Sequence, residues 1–353
     1  MQQSPAAPRK SKTAVVDFVF AAAFLEHDHI LGMSKGLSDA GARLKWAFDP
    51  DPAKLAAFRR KFPRAKAARS LDEILGDPSV RLVASAGVPC ERGPTGCAVM
   101  AAGKDYFCDK TAFTQMAQLK AARAAVRRTG RKFSVYYSER LHVECAVRAG
   151  ELVRAGAVGD VVQVLGLGPH RLRKASRPGW FFERAKYGGI LCDIGSHQFE
   201  QFLFYSGATD ATVARAAVGN FANPDKPEFE DFGEASLAGN NGTSSYVRVD
   251  WLTPDGLSTW GDGRTVILGT AGYIELRKYV DVARGGRGDH LILVDARGER
   301  RFDLHGKVGF PFFGQLIRDC IDRTEDAMTQ EHTFKAAELC LKAQAAAQRL
   351  FQP

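Results

Sequence analysis

The chain has 353 residues, of which 45% are hydrophobic and 25% are charged, and these proportions are typical of a soluble globular protein. The formal net charge is +9, but the basic residues are dispersed and are not interleaved with aromatic residues, which argues against a nucleic-acid-binding surface. No stretch reaches 18 apolar residues, so we expect no membrane span. Seven cysteines without a C-x-x-C pair indicate buried thiols in a reducing compartment, and therefore a cytoplasmic protein.

The first third of the chain alternates strand-like and helix-like segments, which predicts βαβ units and a parallel sheet. Met1–Thr13 is polar and basic, and we expect it to be disordered. The apolar run Ala14–Leu25 resembles the core of a signal peptide, but Asp17 interrupts it and Glu26–His29 replaces the cleavage site, so a buried strand is favoured. The predicted strands here are Ala14–Ala22, Leu44–Phe48, Arg81–Ala86, Asp105–Cys108 and Lys132–Tyr136, and the predicted helices are Asp28–Ala40, Pro52–Phe62, Leu71–Leu75, Arg92–Ala102 and Thr114–Thr129.

The pattern changes after about Tyr137, where one helix is followed by strand-like runs that turn-forming residues separate. Such a series predicts a large, mostly antiparallel sheet with helices on one face. The predicted elements are a helix over Val143–Ala155, strands over Val161–Leu167, Val213–Val218, Ser244–Leu252, Thr265–Leu268, Tyr273–Arg277 and Leu291–Val294, and closing helices over Phe312–Asp322 and His332–Leu350.

These elements predict an α/β plus α+β fold class. A disordered N-terminus over residues 1–13 would precede a Rossmann-like, dinucleotide-binding domain with a parallel sheet over residues 14–137. Residues 138–353 would form an α+β domain for substrate binding and oligomerisation. Because a large open sheet usually needs a partner to cover its free face, we expect a homodimer or homotetramer formed through this sheet.

A parallel βαβ start places a cofactor at the carboxyl ends of its strands. Phe24 and Leu25 lie in the first turn, Pro89 follows a later strand, and Asp49 closes the second strand, so these residues are the predicted cofactor contacts. A carboxylate at Asp49 would bind the adenosine ribose hydroxyls and repel a 2′-phosphate, which favours NAD over NADP. Capping the following helix is the alternative role of Asp49.

The first turn contains no G-x-G-x-x-G and instead reads Ala21 to Asp28 as AAAFLEHD. A phenylalanine and two acids there would crowd and repel a pyrophosphate, which glycines normally admit. His27 and His29 flank Asp28 in this turn, but one loop cluster without further ligands predicts no metal site.

The segment Gly188–His197 combines a glycine pair, a short apolar run, an aspartate and, four residues later, a histidine. Four residues make about one helical turn, so if a helix begins near Ile194 the side chains of Asp193 and His197 lie on one face. A carboxylate beside an imidazole fixes the tautomer of the histidine and tunes it as a general base. A helix-capping aspartate and a core histidine are the alternative interpretation.

Several motifs, in the same order, resemble the glucose–fructose oxidoreductase / inositol dehydrogenase / rhizopine-catabolism (Gfo/Idh/MocA) family of NAD(P)-dependent sugar dehydrogenases. The start His27-x-His29-Ile30 is similar to a sub-branch found in trehalose-utilisation operons. The other matching segments are Ala101–Thr111 with A-G-K-h-V-x-x-E-K-P, Gly188–His197 with G-G-x-x-x-D-x-G-x-H, Val266–Gly272 with the G-T-x-G turn, and Tyr137 and Arg140 with Y/N-x-x-R.

The resemblance implies a role for each matched residue. Lys110 would contact both nicotinamide and substrate and would polarise the reacting hydroxyl, and His197 would be the general base. Asp193 would orient His197 or bind a neighbouring hydroxyl. The reaction would be hydride transfer between NAD and a secondary alcohol or ketone of a sugar, glycoside or polyol. Two positions depart from the family motif, because Asp109 stands for its glutamate and Thr111 for its proline.

The basic and aromatic segment Pro169–Tyr187 directly precedes the Asp/His motif and is predicted to line the substrate side of the site. Aromatic faces stack on sugar rings, and arginine or histidine side chains can hydrogen-bond hydroxyl groups. The alternative for Trp180 is plain core packing. The predicted substrate-binding residues are Arg140, His170, Trp180 and Tyr187.

Two other functions stay open at this point. A non-catalytic sensor or scaffold of the same fold, like the yeast galactose-pathway repressor, is favoured by the missing glycines. A related fold could also use a tightly held cofactor for lyase or hydrolase chemistry on a glycoside.

Overall fold

The computed structural model describes residues 17–350. The predicted disordered segment Met1–Thr13 therefore lies outside the described residues. Within the described part, no helix is both long and apolar enough to cross a bilayer.

The first sheet is built from short apolar runs that are buried on both faces. Every residue of its first and fifth strands is buried, which is typical of a parallel sheet covered by helices on both sides. Its six strands are β1 (Val19–Ala23), β2 (Arg43–Phe48), β3 (Lys66–Ala67), β4 (Val80–Ser85), β5 (Asp105–Asp109) and β6 (Phe133–Tyr136). They pair in parallel in the order β3-β2-β1-β4-β5-β6, as predicted for a Rossmann-like domain.

Five helices connect these strands, and local capping sets several of their ends. The Asp51 carboxylate accepts a hydrogen bond from the Ala53 amide, so Asp51 rather than Asp49 caps the second helix. Gly130 ends the fifth helix in the left-handed conformation, with φ of 65°. The helices are α1 (His29–Asp39), α2 (Pro52–Lys61), α3 (Leu71–Leu75), α4 (Pro89–Ala101) and α5 (Met116–Thr129).

The second sheet contains nine strands. They are β7 (Val161–Pro169), β8 (Ala211–Gly219), β9 (Phe232–Gly239), β10 (Ser244–Asp250), β11 (Arg264–Gly269), β12 (Gly272–Arg277), β13 (His290–Asp295), β14 (Gly298–Asp303) and β15 (Gln348–Arg349). Their order is β14-β13-β12-β11-β7-β10-β9-β8-β15. All neighbours are antiparallel except β7 with β10 and β8 with β15, so the predicted mostly antiparallel sheet is confirmed.

Within residues 17–350, seven α-helices accompany the second sheet: α6 (Ser138–Leu141), α7 (Glu144–Arg154), α8 (Arg184–Tyr187), α9 (Ile190–Asp193), α10 (Gly195–Ser206), α11 (Pro311–Asp322) and α12 (Gln330–Ala346). Helix α10 packs on β7, β9 and β10, and α12 packs against α10, α5 and β8. Helix α12 also contacts β6 and so links both sheets. This packing brings the Asp/His segment close to the carboxyl ends of β5 and β6.

Four strands were not predicted from the sequence. Strand β9 alternates buried and half-buried residues, but its alanines and glycines make its apolar pattern weak. Strand β14 lies at the edge of the sheet and carries charged residues, which protect such an edge from pairing with other chains. Strands β3 and β15 have two residues each, and β15 lies where the final helix was predicted to continue.

Candidate active site

Lys110 and Asp193 form a buried ion pair. Lys110 follows the last residue of β5 and Asp193 is the last residue of α9, and their Nζ and Oδ1 atoms lie 2.6 Å apart. Burial would raise the pKa of Asp193, but the ammonium of Lys110 outweighs that effect and holds the pKa below its usual value. Thr111, which stands where the family motif has proline, donates a hydrogen bond from Oγ1 to the Cys192 carbonyl at 2.6 Å. The Lys110–Thr111 peptide bond is cis.

The predicted contact between Asp193 and His197 does not form. One carboxylate oxygen of Asp193 binds Lys110, and the other, Oδ2, is buried without a hydrogen-bond partner among the described residues. Nδ1 of His197 likewise has no partner there. The Asp193 carboxylate therefore binds Lys110, which follows β5, and not the His197 imidazole that the helical spacing predicted as its partner.

His197 lies on α10 and is 1% exposed. Burial lowers the pKa of His197 to about 3, although the nearby Glu139 carboxylate acts in the opposite direction. Lys110 and His29 lower the pKa further because they add positive charge around the ring. The imidazole is consequently neutral near pH 7, which is the state in which it can accept a proton.

Glu139 and His170 complete this polar cluster from two further parts of the chain. Oε2 of Glu139 accepts hydrogen bonds from Lys278 Nζ and Gln198 Nε2, both at 2.9 Å. Oε1 of Glu139 lies 3.9 Å from Nε2 of His170, and burial lowers the pKa of His170 to about 4. His170 was predicted to line the site, whereas Glu139 and Lys278 were missed, since no motif marks them and 139 residues separate them.

Arg140 does not join this cluster. Its Nε atom lies 2.7 Å and 2.9 Å from the two carboxylate oxygens of Glu200, and its guanidinium stacks over Phe204 at 3.8 Å. The short helix α6 directs Glu139 and Arg140 to different partners. Arg140, which matched the family segment, therefore forms a structural ion pair with Glu200. The proposed contact of Arg140 with substrate is not supported by this geometry.

Tyr187 is a core residue. It is 1% exposed, its hydroxyl donates to the Glu228 carbonyl at 3.3 Å and accepts from the Glu230 amide at 3.0 Å, and its ring stacks on Phe181. Both hydrogen-bonding directions of the hydroxyl are thus used, and the predicted contact of Tyr187 with substrate is not supported.

Trp180 is half-buried and connects two distant segments. Its Nε1 donates a hydrogen bond to Oε1 of Glu26 at 2.8 Å, and Oε2 of Glu26 pairs with Lys54 of α2. The indole therefore rests against the turn that follows β1, beside the edge at which a dinucleotide is expected. This position is neither the plain core of the alternative interpretation nor a direct contact with Lys110 or His197.

The turn after β1 adopts a backbone conformation that favours glycine, although it contains no glycine. Phe24 has φ of 57°, in the left-handed region that favours glycine, and its amide donates to the Phe48 carbonyl. The next amide, that of Leu25, donates to Oδ2 of Asp49 at 2.6 Å, while Oδ1 of Asp49 accepts from the Asp51 amide at 2.8 Å. Asp49 thus fixes this turn against the end of β2.

The carboxyl edge of the first sheet fits a dinucleotide in its donor and acceptor groups. Asp49 already accepts two hydrogen bonds, but a carboxylate has about four acceptor positions, so it can still accept from ribose hydroxyls. Ser85 Oγ and Asp109 Oδ2, at the ends of the neighbouring strands β4 and β5, are buried without hydrogen-bond partners among the described residues. Pro89 is the first residue of α4 at the same edge.

His27 and His29 acquire a third neighbour that the sequence had not indicated. Nδ1 of His29 lies 2.8 Å and Nδ1 of His27 lies 3.6 Å from the Asp109 carboxylate, so these three groups could in principle hold a metal ion. However, Arg92 already faces Asp109 at 3.4 Å, and Nδ1 of His27 accepts a hydrogen bond from the His29 amide. The site thus has a guanidinium beside its one carboxylate, which disfavours a dication.

Family comparison agrees with this geometry. Residues 21–137 match the family described as "Oxidoreductase family, NAD-binding Rossmann fold", and residues 146–275 match the GFO/IDH/MocA C-terminal domain. The chain belongs to the Gfo/Idh/MocA oxidoreductase family. The resemblance inferred from the motifs is therefore confirmed.

A solved structure extends this relationship over nearly the whole chain. A protein of Erwinia carotovora atroseptica SCRI1043, solved at 1.25 Å as a candidate oxidoreductase, is 49% identical, with a TM-score of 0.92. The match covers 95% of this chain and all of that chain.

Two curated relatives are sugar or polyol dehydrogenases. D-xylose dehydrogenase of Paenarthrobacter nicotinovorans is 26% identical over 41% of this chain and 38% of its own length. The scyllo-inositol 2-dehydrogenase (NADP(+)) IolW of Bacillus subtilis (strain 168) is 26% identical over 44% of this chain and 43% of its own length. The chain spans about half the length, or less, of the curated relatives it matches.

Proposed function

We propose that this Gfo/Idh/MocA protein is an NAD-dependent oxidoreductase that transfers hydride between the nicotinamide and a secondary alcohol or ketone of a sugar, glycoside or polyol. One observation carries the proposal: Lys110, Glu139 and the Asp193–His197 segment come from separate parts of the chain and meet in one buried cluster. Three atoms of this cluster, Asp193 Oδ2, His197 Nδ1 and Glu139 Oε1, have no hydrogen-bond partner among the described residues. A molecule rich in hydroxyl groups would satisfy them.

The residues of the cluster divide the chemistry between them. The nicotinamide, when bound, supplies the hydride acceptor or donor. Neutral His197 takes the proton of the reacting hydroxyl, and the ammonium of Lys110 stabilises the negative charge that develops on that oxygen. Asp193 holds Lys110 in place, and its free oxygen is available to a second hydroxyl of the substrate. Reduction of a ketone would use the same groups in reverse.

Asp49 supports NAD over NADP. Its carboxylate lies at the end of β2, is 7% exposed, and accepts hydrogen bonds from two backbone amides. A 2′-phosphate placed beside it would be repelled, whereas a free ribose hydroxyl can donate to it. The relative IolW is named for NADP(+), so the experiment compares both nucleotides.

The experiment is a nucleotide-binding measurement followed by a substrate screen. Calorimetry with NAD and NADP on the purified protein tests the cofactor, and reduced-nicotinamide absorbance with a panel of sugars, glycosides and polyols tests the reaction. Turnover of one sugar or polyol with NAD would support the proposal. Two results would favour the non-catalytic sensor instead: nucleotide binding without turnover of any compound, or no nucleotide binding at all. The specific argument for the sensor is the side chain of Phe24 in the first turn.

We further propose that the protein forms a homodimer or homotetramer in the cytoplasm. The outer face of the second sheet carries neighbouring apolar side chains on β7, β11 and β12 that are exposed or half-buried, namely Leu165, Val266, Leu268 and Tyr273. A second copy would cover this face. All seven cysteines are free thiols, which suits a reducing compartment. Light scattering coupled to size exclusion tests the assembly, and a monomer at micromolar concentration would refute it.

A further inference from the structure

Glu139 lies in the active-site cluster without a role in the family motifs. Its Oε2 is held by Lys278 and Gln198, and neither Glu139 nor Lys278 is more than 2% exposed. Its Oε1 faces Nε2 of His170 at 3.9 Å and has no hydrogen-bond partner among the described residues. Two side chains therefore fix Oε2 of the carboxylate, whereas Oε1 can interact with groups in the active site.

We propose that Glu139 is a positioning residue of the reaction, whose free oxygen orients the His170 ring and stabilises the positive charge that forms on His197. The inference rests on the proposed function, in which oxidation breaks the O–H and C–H bonds of a secondary alcohol. The hydroxyl proton goes to His197 and the hydride goes to the oxidised nicotinamide, which leaves a carbonyl group. His197 then carries a positive charge in a buried site, and that charge needs a counter-ion.

Among the described residues, Glu139 is the carboxylate whose charge opposes the lowering of the pKa of His197. Asp193 is bound to Lys110 through Oδ1 at 2.6 Å. Lys278 keeps Glu139 ionised: burial would raise the pKa of Glu139, but the ammonium of Lys278 outweighs burial, and the pKa stays well below its usual range. Glu139 is thus a permanent negative charge beside two neutral imidazoles.

The surrounding charges increase the need for such a carboxylate. The titratable or charged groups that face these imidazoles and Glu139 are Lys110, Asp193, His29, Lys278 and Tyr279. Lys110 lowers the pKa of both His170 and His197, so it disfavours a positive charge on either ring. Without Glu139, protonation of either ring would therefore become harder.

The kinetic test compares Glu139→Gln with Glu200→Gln across the pH range. Glu139→Gln should lower kcat by about tenfold or more, because the protonated base loses its counter-ion. It should also move the acidic limb of the pH profile to lower pH, because His197 then gives up its proton more readily. Glu200 is the matched control, since it is an equally buried carboxylate on α10 but pairs with Arg140 and His332. Glu200→Gln should leave the limb in place, and an unmoved limb in Glu139→Gln would overturn the proposal.

A second measurement needs no turnover and so separates this inference from the proposed function. Nδ1 of His170 lies 3.2 Å from the Gly168 carbonyl, so the ring can donate either to that carbonyl or towards Glu139. Long-range nitrogen NMR of the resting protein reports which ring nitrogen carries the proton. Glu139→Gln should move His170 towards the Nδ1–H tautomer.

A double variant covers the case in which Glu139→Gln does not fold because it leaves Lys278 buried and unpaired. Glu139→Gln/Lys278→Met removes both charges of the pair and should show the same change of His170 tautomer. An unchanged tautomer in the variant that folds would overturn the proposal. A changed tautomer in a protein that turns over no alcohol or ketone would support the pairing of Glu139 with His170 and refute the proposed function alone.

Discussion

Nζ of Lys110 lies 2.6 Å from Oδ1 of Asp193, and this ion pair joins the end of β5 to the end of α9. The two residues are 83 positions apart, and both are buried. An unpaired charge in such a place would be very unfavourable, and Lys110 stabilises the ionised form of Asp193. The pair fixes the first sheet against the helical segment that carries His197, and it explains why Asp193 does not hold the imidazole.

Replacing Lys110 by methionine should damage both stability and turnover. The variant leaves the Asp193 carboxylate buried without its cation, and breaking a buried pair in this way costs about 3–5 kcal/mol. Loss of the positive charge at the reacting oxygen should lower kcat by about 10²–10³-fold. Denaturant unfolding and steady-state kinetics measure the two effects.

Lys104→Met is the matched control for that variant. Lys104 is also buried, but it precedes β5 and binds the carbonyls of Asp77 and Val80 at the opposite edge of the sheet. The Lys104→Met variant should lower the free energy of unfolding without changing kcat. An equal loss of kcat in both variants would mean that Lys110 acts through folding alone.

His197→Asn should lower kcat by about 10²–10⁴-fold with little change in the affinity for NAD, because a positioned general base is lost. His332→Asn is the control, since His332 binds Glu200 through Nε2 and lies away from Lys110. Activity of His197→Asn within threefold of the unaltered protein would remove His197 from the mechanism.

Asp49→Asn should weaken NAD binding and improve the binding of NADP relative to NAD by about tenfold or more, since the charge that opposes a 2′-phosphate is removed. Asp51→Asn changes a carboxylate two residues away that caps α2 and lies 4.0 Å from Lys54, and it should leave the nucleotide preference unaltered. Calorimetry with both nucleotides provides the measurement. If the unaltered protein bound NADP more tightly, the assignment of Asp49 would be incorrect.

The folded protein should lose stability as the pH falls below about 6.5. Burial lowers the pKa of His197 to about 3 and of His170 to about 4, so the unfolded chain takes up protons on these histidines before the folded chain does. Their contribution is present above the unfolded value of 6.5 and is lost as the pH falls through 4 and 3. The midpoint of urea unfolding, measured from pH 8 to pH 4, should decrease, and it should decrease less in His170→Asn. A midpoint independent of pH would contradict the buried neutral state of both rings.

The architecture followed from local patterns in the sequence. Short apolar runs such as Val80–Ser85 alternate with helical segments, and this alternation alone predicted the parallel sheet. Asp49 and the Gly188–His197 segment were selected as candidate site residues from their spacing and residue types alone. Strands β9 and β14 were missed because their burial depends on neighbours in the sheet and not on their own hydrophobicity.

The partners of the polar side chains, in contrast, were decided by the tertiary structure. The spacing of Asp193 and His197 predicted that they would meet, but Lys110, which follows β5, competes for the same carboxylate and binds it at 2.6 Å. Likewise Glu139, and not its neighbour Arg140, faces the site, because Lys278 and Gln198 hold the first and Glu200 holds the second. Residue type and spacing state what a side chain can bind, whereas the choice among several charged partners depends on which of them the fold places within about 3 Å.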